Sequence, residues 1–519
     1  MSHAPLFHHS SRFRRWALLV IFVYCAVHLA LQVILPTPLP WDDAEQTLWA
    51  QEWSWAYGFD QPPMYTWLVH ATSAILGPGR LATGLVRYVL LFVMYAGLLL
   101  AACALFERRT HVMLALGSYL LFYQYAWYTH KNLTHSTLAS AAIAMMLFAF
   151  IAAVRTNAWW PYLLLGLAMG CGMMAKYNFA VFAISLFFAA WMIERYRPVF
   201  NWRLIPAVVL TVVICAPHYS QLVTSPDRSF AVGSTVSKQA EPESPAQRLL
   251  VVPATVAATL ALPQPFALVA VLVFPALFGA RRFLKPDTDE RRLLGLQIIV
   301  GIALSTLGGF VIGVAQIKAR WLFAALMLAP LYLFSGLRED DGYERRIRGY
   351  LGALPFAWLI VIAALIAESP YQTVSGGGMR SHLPVQELSR SIEAMGFSHG
   401  PIVGVSNDLA GNLVMISPKA DVYSARPDQG PEITPQRFPV LYVWIGPPEP
   451  VPDEILSHAD ALGIAFERPK ARMKHLRIAE SPDATPHAEF KLWIADRAAS
   501  NATTQRPSDH EGEADHPAD

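Results

Sequence analysis

Three observations predict an α-helical polytopic membrane protein with a small α/β domain near its C-terminal end. Of 519 residues, 54% are hydrophobic and only 15% are charged, whereas soluble domains carry about 25% charged residues. About eleven apolar segments approach the ~20 residues that a bilayer-spanning helix needs. The lysines and arginines between them collect in every second loop, as expected where short cytoplasmic loops hold the positive charge.

The segments run over 16–36, 84–106, 111–128, 134–154, 159–176, 178–194, 204–219, 255–280, 293–315, 321–337 and 349–367. Arg12, Arg14 and Arg15 precede the first, Arg108 and Arg109 follow the second, and Arg155 follows the fourth. Arg195, Arg197 and Arg203, then Arg281 to Arg292, then Arg338 to Arg348 continue the alternation. This places the N-terminus in the cytoplasm and residues beyond 368 on the outer side of the membrane. The first segment is longer than the apolar stretch of a signal peptide and lacks a small-residue cleavage site, so it reads as a retained anchor. Residues 249–280 are too long for one span and contain Pro253, Pro263, Pro265 and Pro275. Charge parity favours one span with an outward-facing partial helix there. The four cysteines, Cys25, Cys103, Cys171 and Cys215, all lie in apolar runs, where they read as small buried hydrophobes rather than disulfide or metal ligands.

Residues 1–368 therefore form a membrane domain whose first outer loop spans 37–83. From Ser369 the composition turns polar. Ser375-Gly-Gly-Gly378 reads as a linker. Apolar runs at 401–406, 440–445 and 489–494 read as buried strands, and patterns at 384–395, 408–416 and 453–464 as helices. Together these make an extracytoplasmic α/β domain over 369–499. The tail at 500–519 has almost no apolar content and is expected to be disordered.

Chemistry concentrates in the first outer loop, PWDDAEQTLWAQEWSWAYGFDQPPMYTW from Pro40 to Trp67. Trp49, Trp53, Trp55 and Tyr57 suit a bilayer–water boundary. Asp42 and Asp43 stand at the same depth, where a carboxylate is costly and usually functional. Cations recur at that face: Lys131 with His130 and His135, Lys176, Arg228, Lys238, and Lys318 with Arg320. Acids and bases gathered at one interface suit transfer of a sugar from a lipid phosphate. Lys or Arg there stabilises the leaving phosphate, and a carboxylate takes the proton of the acceptor. Each residue also has a plainer role. One of the two aspartates can cap the following helix, Glu45 can answer the helix dipole, and Lys131 and Lys176 can snorkel to headgroups. His135 can cap or pack, the aromatic residues can form an interface belt, and Arg80 and Arg87 can anchor the second span.

The pattern resembles the polytopic GT-C glycosyltransferases of the glycosyltransferase 39 and aminoarabinose-transferase type, and more narrowly the rhizobial lipid A core galacturonosyltransferase-like group. The matching pieces are Asp42-Asp43-Ala44-Glu45, Gln61-Pro62-Pro63-Met64 with Trp67, Leu133-Thr-His-Ser136, Ala175-Lys176-Tyr177 and Lys318-Ala-Arg-Trp321. The resemblance spans roughly Trp16 to Leu337. It implies an inverting transferase that moves a sugar from a polyprenyl-phosphate donor to a cell-envelope acceptor such as lipid A or core. On that reading Asp42 and Asp43 are the catalytic acids, and Lys131, Lys176, Lys318 and Arg320 bind the donor phosphate. Glu45, Gln61, Tyr65, His135 and Tyr177 contact acceptor or sugar. No cofactor is required and no metal site is assigned, although Asp42, Asp43 and Glu45 could together hold a divalent ion. No nucleic-acid partner is expected. Two departures stand out: Gln61 replaces the lysine that aminoarabinose transferases place before the loop proline, and Lys131, Asn132 and His135 stand where many relatives carry a second acid. The alternative reading is a flippase or transporter of lipid-linked sugar. That class calls for charged or broken helices at mid-membrane, whereas the spans here are nearly charge-free at their centres.

Overall fold

The computed structural model describes residues 6–35, 38–57, 61–156, 158–224, 247–278, 287–313, 317–374, 385–425, 439–446, 451–464, 472–477 and 489–495. The linker at 375–378, the tail at 500–519, Arg228, Lys238 and the basic residues at 281–285 lie outside them.

The protein is a multi-pass bundle of apolar helices with a small mixed sheet at its C-terminal end. Among the described residues six helices are long and apolar enough to cross a membrane: α1 (Ser11–Ile34), α4 (Arg80–Leu105), α7 (His135–Thr156), α10 (Leu204–Thr224), α13 (Asp289–Ile312) and α16 (Tyr343–Val374). Between them lie α2 (Trp41–Trp49), α3 (Met64–Leu76), α5 (Arg109–Gly117), α6 (Tyr123–Ala126), α8 (Trp160–Met173), α9 (Phe179–Met192), α11 (Val251–Ala261), α12 (Phe266–Val273), α14 (Phe323–Leu326) and α15 (Ala329–Ser335). α7 is the buried centre. Its small residues let α4 come close, and at Gly97 an added Cβ would sit 2.9 Å from the Ala144 carbonyl carbon. Small residues at a crossing replace the hydrophobic drive that lipid cannot supply.

Three expected spans are interrupted. Over 111–128, α5 gives way to a 3-10 turn at Ser118–Leu120, to α6, and to a second turn at Tyr128–His130. Polar and aromatic residues there hydrogen-bond across the bundle, as where Tyr119 Oη donates to Met327 O at 2.6 Å. Over 321–337 the helix breaks before Pro330, which has no N–H to continue it. Over 249–280 two short helices, α11 and α12, meet at Pro263–Pro265, and the connection pairs with Leu121–Tyr123.

The C-terminal domain holds a five-stranded sheet in the order β2-β1-β3-β5-β4, built from β1 (Ile402–Gly404), β2 (Val422–Ser424), β3 (Val440–Gly446), β4 (Arg472–Arg477) and β5 (Glu489–Ala495). β1 runs parallel to β2 and β3, while β5 is antiparallel to β3 and β4. Its helices are α17 (Val385–Ala394), α18 (Asn407–Ile416) and α19 (Asp453–Ala461). The expected strands and helices all form. β2 and β4, one three residues long and the other alternating with charged residues, carry weaker patterns. One apolar cluster joins this domain to the first loop: Leu48, Trp49 and Tyr57 pack with Leu388, Leu409, Leu413 and Val422.

Candidate active site

α2 starts at the end of the first span and points its two aspartates in different directions. Neither caps the helix. Pro40 occupies the cap position and makes no side-chain cap bond, and both acids fall in the first turn, where the helix dipole favours negative charge. Asp43 turns into the bundle, fully buried, with Oδ1 2.5 Å from Arg87 Nη2. Arg87 is equally buried and is not an interfacial anchor. Its Nη1 also donates to Gln32 Oε1 at 3.1 Å. An arginine inside an apolar span is expensive unless paired, and that cost was the sequence signal for this contact.

Asp42 faces the other way, half-buried, and forms no hydrogen bond or ion pair with any described residue. Burial and the neighbouring Asp43 push its carboxyl up to about 6, against the pull of Arg320, Lys176 and Arg87. Lys176 lies in the turn between α8 and α9. Its Nζ donates to Ser136 Oγ at 2.9 Å and sits 5.7 Å from the Phe323 ring centroid. Burial and Arg320 lower its ammonium to about 8, with Asp42 opposing. Arg320, in the 3-10 turn Ala319–Leu322, donates to Tyr128 Oη at 3.1 Å. One carboxylate from α2 and two cations from separate turns thus lie within electrostatic reach of one another without a direct ion pair among them. Lys176 is therefore held inside the site rather than extended toward headgroups. Neither Ser136 nor Tyr128 was assigned a role from sequence, since a hydroxyl at a helix end or in a turn carries no distinguishing pattern.

Unpartnered polar atoms surround this group. Tyr65 Oη and both ring nitrogens of His135 are buried without hydrogen-bond partners among the described residues, and their rings lie 5.5 Å apart. Asp43 Oδ2 and Gln61 Oε1 are likewise unpartnered. Native interiors satisfy most buried polar groups, so a cluster of exceptions marks where a polar ligand belongs.

The other predicted residues divide. Tyr177 Oη is 3.1 Å from His218 Nε2, whose Nδ1 reaches Trp55 O at 3.1 Å, so it braces the first loop. His218, a buried histidine within an apolar run, was missed, and its polarity inside a span was the available signal. Glu45 accepts from Asn407 Nδ2 at 3.1 Å and faces the C-terminal domain. Lys131 lies 5.1 Å from the Trp127 ring centroid, and Lys318 is exposed, 5.8 Å from that of Trp321. His130 is buried away from solvent, stacked 3.9 Å from His28. Trp53 stacks on Trp67 at 4.9 Å, and Trp53 and Trp55 remain exposed, as a boundary belt requires. Among the described residues no group of three or more His, Cys, Asp or Glu forms a metal-binding cluster.

Known proteins share this architecture. Residues 60–220 match the family described as dolichyl-phosphate-mannose-protein mannosyltransferase. The lipopolysaccharide core galacturonosyltransferase RgtB of Rhizobium johnstonii is 29% identical over 441 residues, covering 83% of this chain and 87% of that one. RgtA of the same organism is 26% identical over 471 residues, covering 86% and 91%. The crystal structure of ArnT from Cupriavidus metallidurans bound to undecaprenyl phosphate superposes with a TM-score of 0.53 at 14% identity, covering 95% of this chain and 99% of that one. That likeness shows the fold. The resemblance to polytopic GT-C glycosyltransferases read from the sequence is borne out, and glycosyl transfer is the activity named for the matching family and for both Rhizobium relatives.

Proposed function

We propose that this protein transfers a sugar, galacturonic acid in the first instance, from a polyprenyl-phosphate carrier to a lipid A or core acceptor. The reaction would take place at the outer face of a bacterial inner membrane, with the C-terminal domain on that side. The relatives named for galacturonosyl transfer suggest the sugar, and the ArnT complex suggests the carrier. One observation carries the reading: Asp42, bonded to no described residue, lies within electrostatic reach of Lys176 and Arg320, with Tyr65 and His135 beside them unpartnered among the described residues.

In the proposed step Asp42 takes the proton of the acceptor hydroxyl, and the freed oxygen bonds to the sugar C1 from the side opposite the phosphate. The C1–O bond to the carrier breaks and its electron pair leaves on the phosphate, which inverts the configuration. Lys176 and Arg320 hold the charge that develops there. Tyr65 and His135 supply polar contacts to the sugar. Where the acceptor is itself a phosphate, Asp42 orients it and little proton transfer is needed. The step needs no cofactor, because these two cations do the work of charge stabilisation.

The test is mass spectrometry of envelope lipids from a deletion strain carrying wild type or Asp42→Asn. Loss of one sugar on deletion, restored by wild type and not by an equally expressed Asp42→Asn, supports the reading. Full restoration by Asp42→Asn overturns the assignment of Asp42. Unchanged glycans with lipid-linked sugar accumulating at the inner leaflet would instead favour transport.

A further inference from the structure

The helix that presents Asp42 is gripped from its other side by the C-terminal domain. α18 crosses α2 at Gly411, where an added Cβ would lie 1.8 Å from the Ala44 carbonyl oxygen and 2.3 Å from its carbon. Only a residue without a Cβ permits backbones this close. The crossing is pinned at both ends. Asn412 reads both backbone groups of Leu39, its Oδ1 accepting from the amide at 2.8 Å and its Nδ2 donating to the carbonyl at 3.3 Å. Gln51 does the same to Val422, donating at 2.8 Å and accepting at 3.1 Å. Between them Asn407 donates to Glu45. These contacts join segments more than 360 positions apart in sequence, since Asn407 and Glu45 are separated by 362.

We propose that α18 is a positioning element for Asp42, with Gly411, Asn412 and Asn407 holding α2 at the depth where the carboxylate meets Lys176 and Arg320. The inference rests on Asp42 being the acid of the site. It goes beyond that reading by giving the C-terminal domain a part in catalysis. Gly411→Ala must push α2 and α18 apart by roughly 1.2 Å, from 1.8 Å to the 3.0 Å below which Cβ contacts essentially never fall. A displacement of about 1 Å can cost ~10²-fold in rate. The charged groups facing Asp42 are Asp43, Arg320, Lys176 and Arg87, and Glu45 and Asp408 lie at the crossing itself. Moving α2 changes its distance to the groups on other helices while leaving Asp43 beside it.

The test uses the whole protein in lipid nanodiscs and a readout that needs no substrate. A hydrophobic carbodiimide labels protonated carboxyls, and mass spectrometry follows labelling of Asp42 against pH, with Asp42→Asn fixing the assignment. In wild type, labelling falls as pH rises through about 6. In Gly411→Ala and in Asn412→Ala the midpoint moves away from that of wild type by about one pH unit, because α2 shifts relative to Lys176 and Arg320, and Asn412→Asp, which keeps one acceptor for Leu39, falls between. Wild-type midpoints in both Gly411→Ala and Asn412→Ala, with thermal unfolding unchanged, overturn the inference. An equal shift in Lys419→Ala, away from the crossing, overturns it too. If Gly411→Ala does not fold, Asn412→Ala decides. Normal sugar transfer by Asp42→Asn would sink the functional reading without altering these midpoints, so the two failures are distinguishable.

Discussion

Asp43→Asn and Asp42→Asn, one residue apart, should fail in opposite ways. Asp43 and Arg87 have fully buried side chains 2.5 Å apart. Removing one charge leaves the other buried without its partner, which costs about 3–5 kcal/mol. In a detergent-solubilised chain scanned at fixed rate, that is a fall of roughly 5–10 °C in apparent unfolding temperature. The pair Asp43→Asn with Arg87→Gln buries no charge and should recover part of the loss, with a coupling of about 2 kcal/mol in the double-mutant cycle. Asp42→Asn removes no hydrogen bond to a described residue, so it should not lower stability at neutral pH. Its transfer rate should fall by about 10²–10⁴-fold, the usual contribution of a positioned general base. Unfolding of Asp43→Asn within about 1 °C of wild type would refute the burial argument. So would a double variant whose loss is the plain sum of the singles.

Four further outcomes follow from the same geometry. The pH profile of kcat/KM should be bell-shaped, falling below about 6 as Asp42 is protonated and above about 8 as Lys176 loses its charge. Lys176→Arg should abolish the alkaline limb and leave the acid limb in place. The raised Asp42 value also acts on stability. The unfolded chain releases this proton more readily than the folded one, so stability falls as pH rises from about 4 to about 6 and stays lower above that. Any gain in unfolding temperature for Asp42→Asn should therefore be largest near neutral pH and fade toward pH 4, which paired thermal scans would reveal. Tyr65→Phe should lower activity by about 10-fold or less, with a rise in KM, because it deletes one unpartnered hydroxyl and no packing. Exhaustive chelation should leave the transfer rate within about twofold, because Lys176 and Arg320 supply the charge. Loss of activity restored by a divalent ion would contradict that.

Much of this was legible because the relevant signals are local. Apolar length gave the long spans, and short apolar runs gave β1, β3 and β5. Acids at a membrane boundary pointed to α2, and cations in short turns pointed to Lys176 and Arg320. What stayed hidden depends on direction. Asp42 and Asp43 are adjacent in sequence, and only the rotation of a first helical turn sends one to Arg87 and the other toward Lys176. The break over 111–128 was hidden because Tyr reads as apolar in a composition window, while the hydroxyls of Tyr119 and Tyr128 here bond across the bundle. Glu45 read as a site residue because it travels with the acidic motif. Its hydrogen bond to Asn407 depends on a domain that begins more than 300 residues later in the chain.

The most direct test of the account reconstitutes the purified protein with undecaprenyl-phosphate galacturonic acid and lipopolysaccharide core, then measures free undecaprenyl phosphate and glycosylated core together. The account predicts that wild type releases one carrier phosphate for each sugar transferred, and that Asp42→Asn and Lys176→Ala, both folded, do neither. Transfer from a nucleotide sugar without the lipid carrier, or equal turnover by Asp42→Asn, would contradict it.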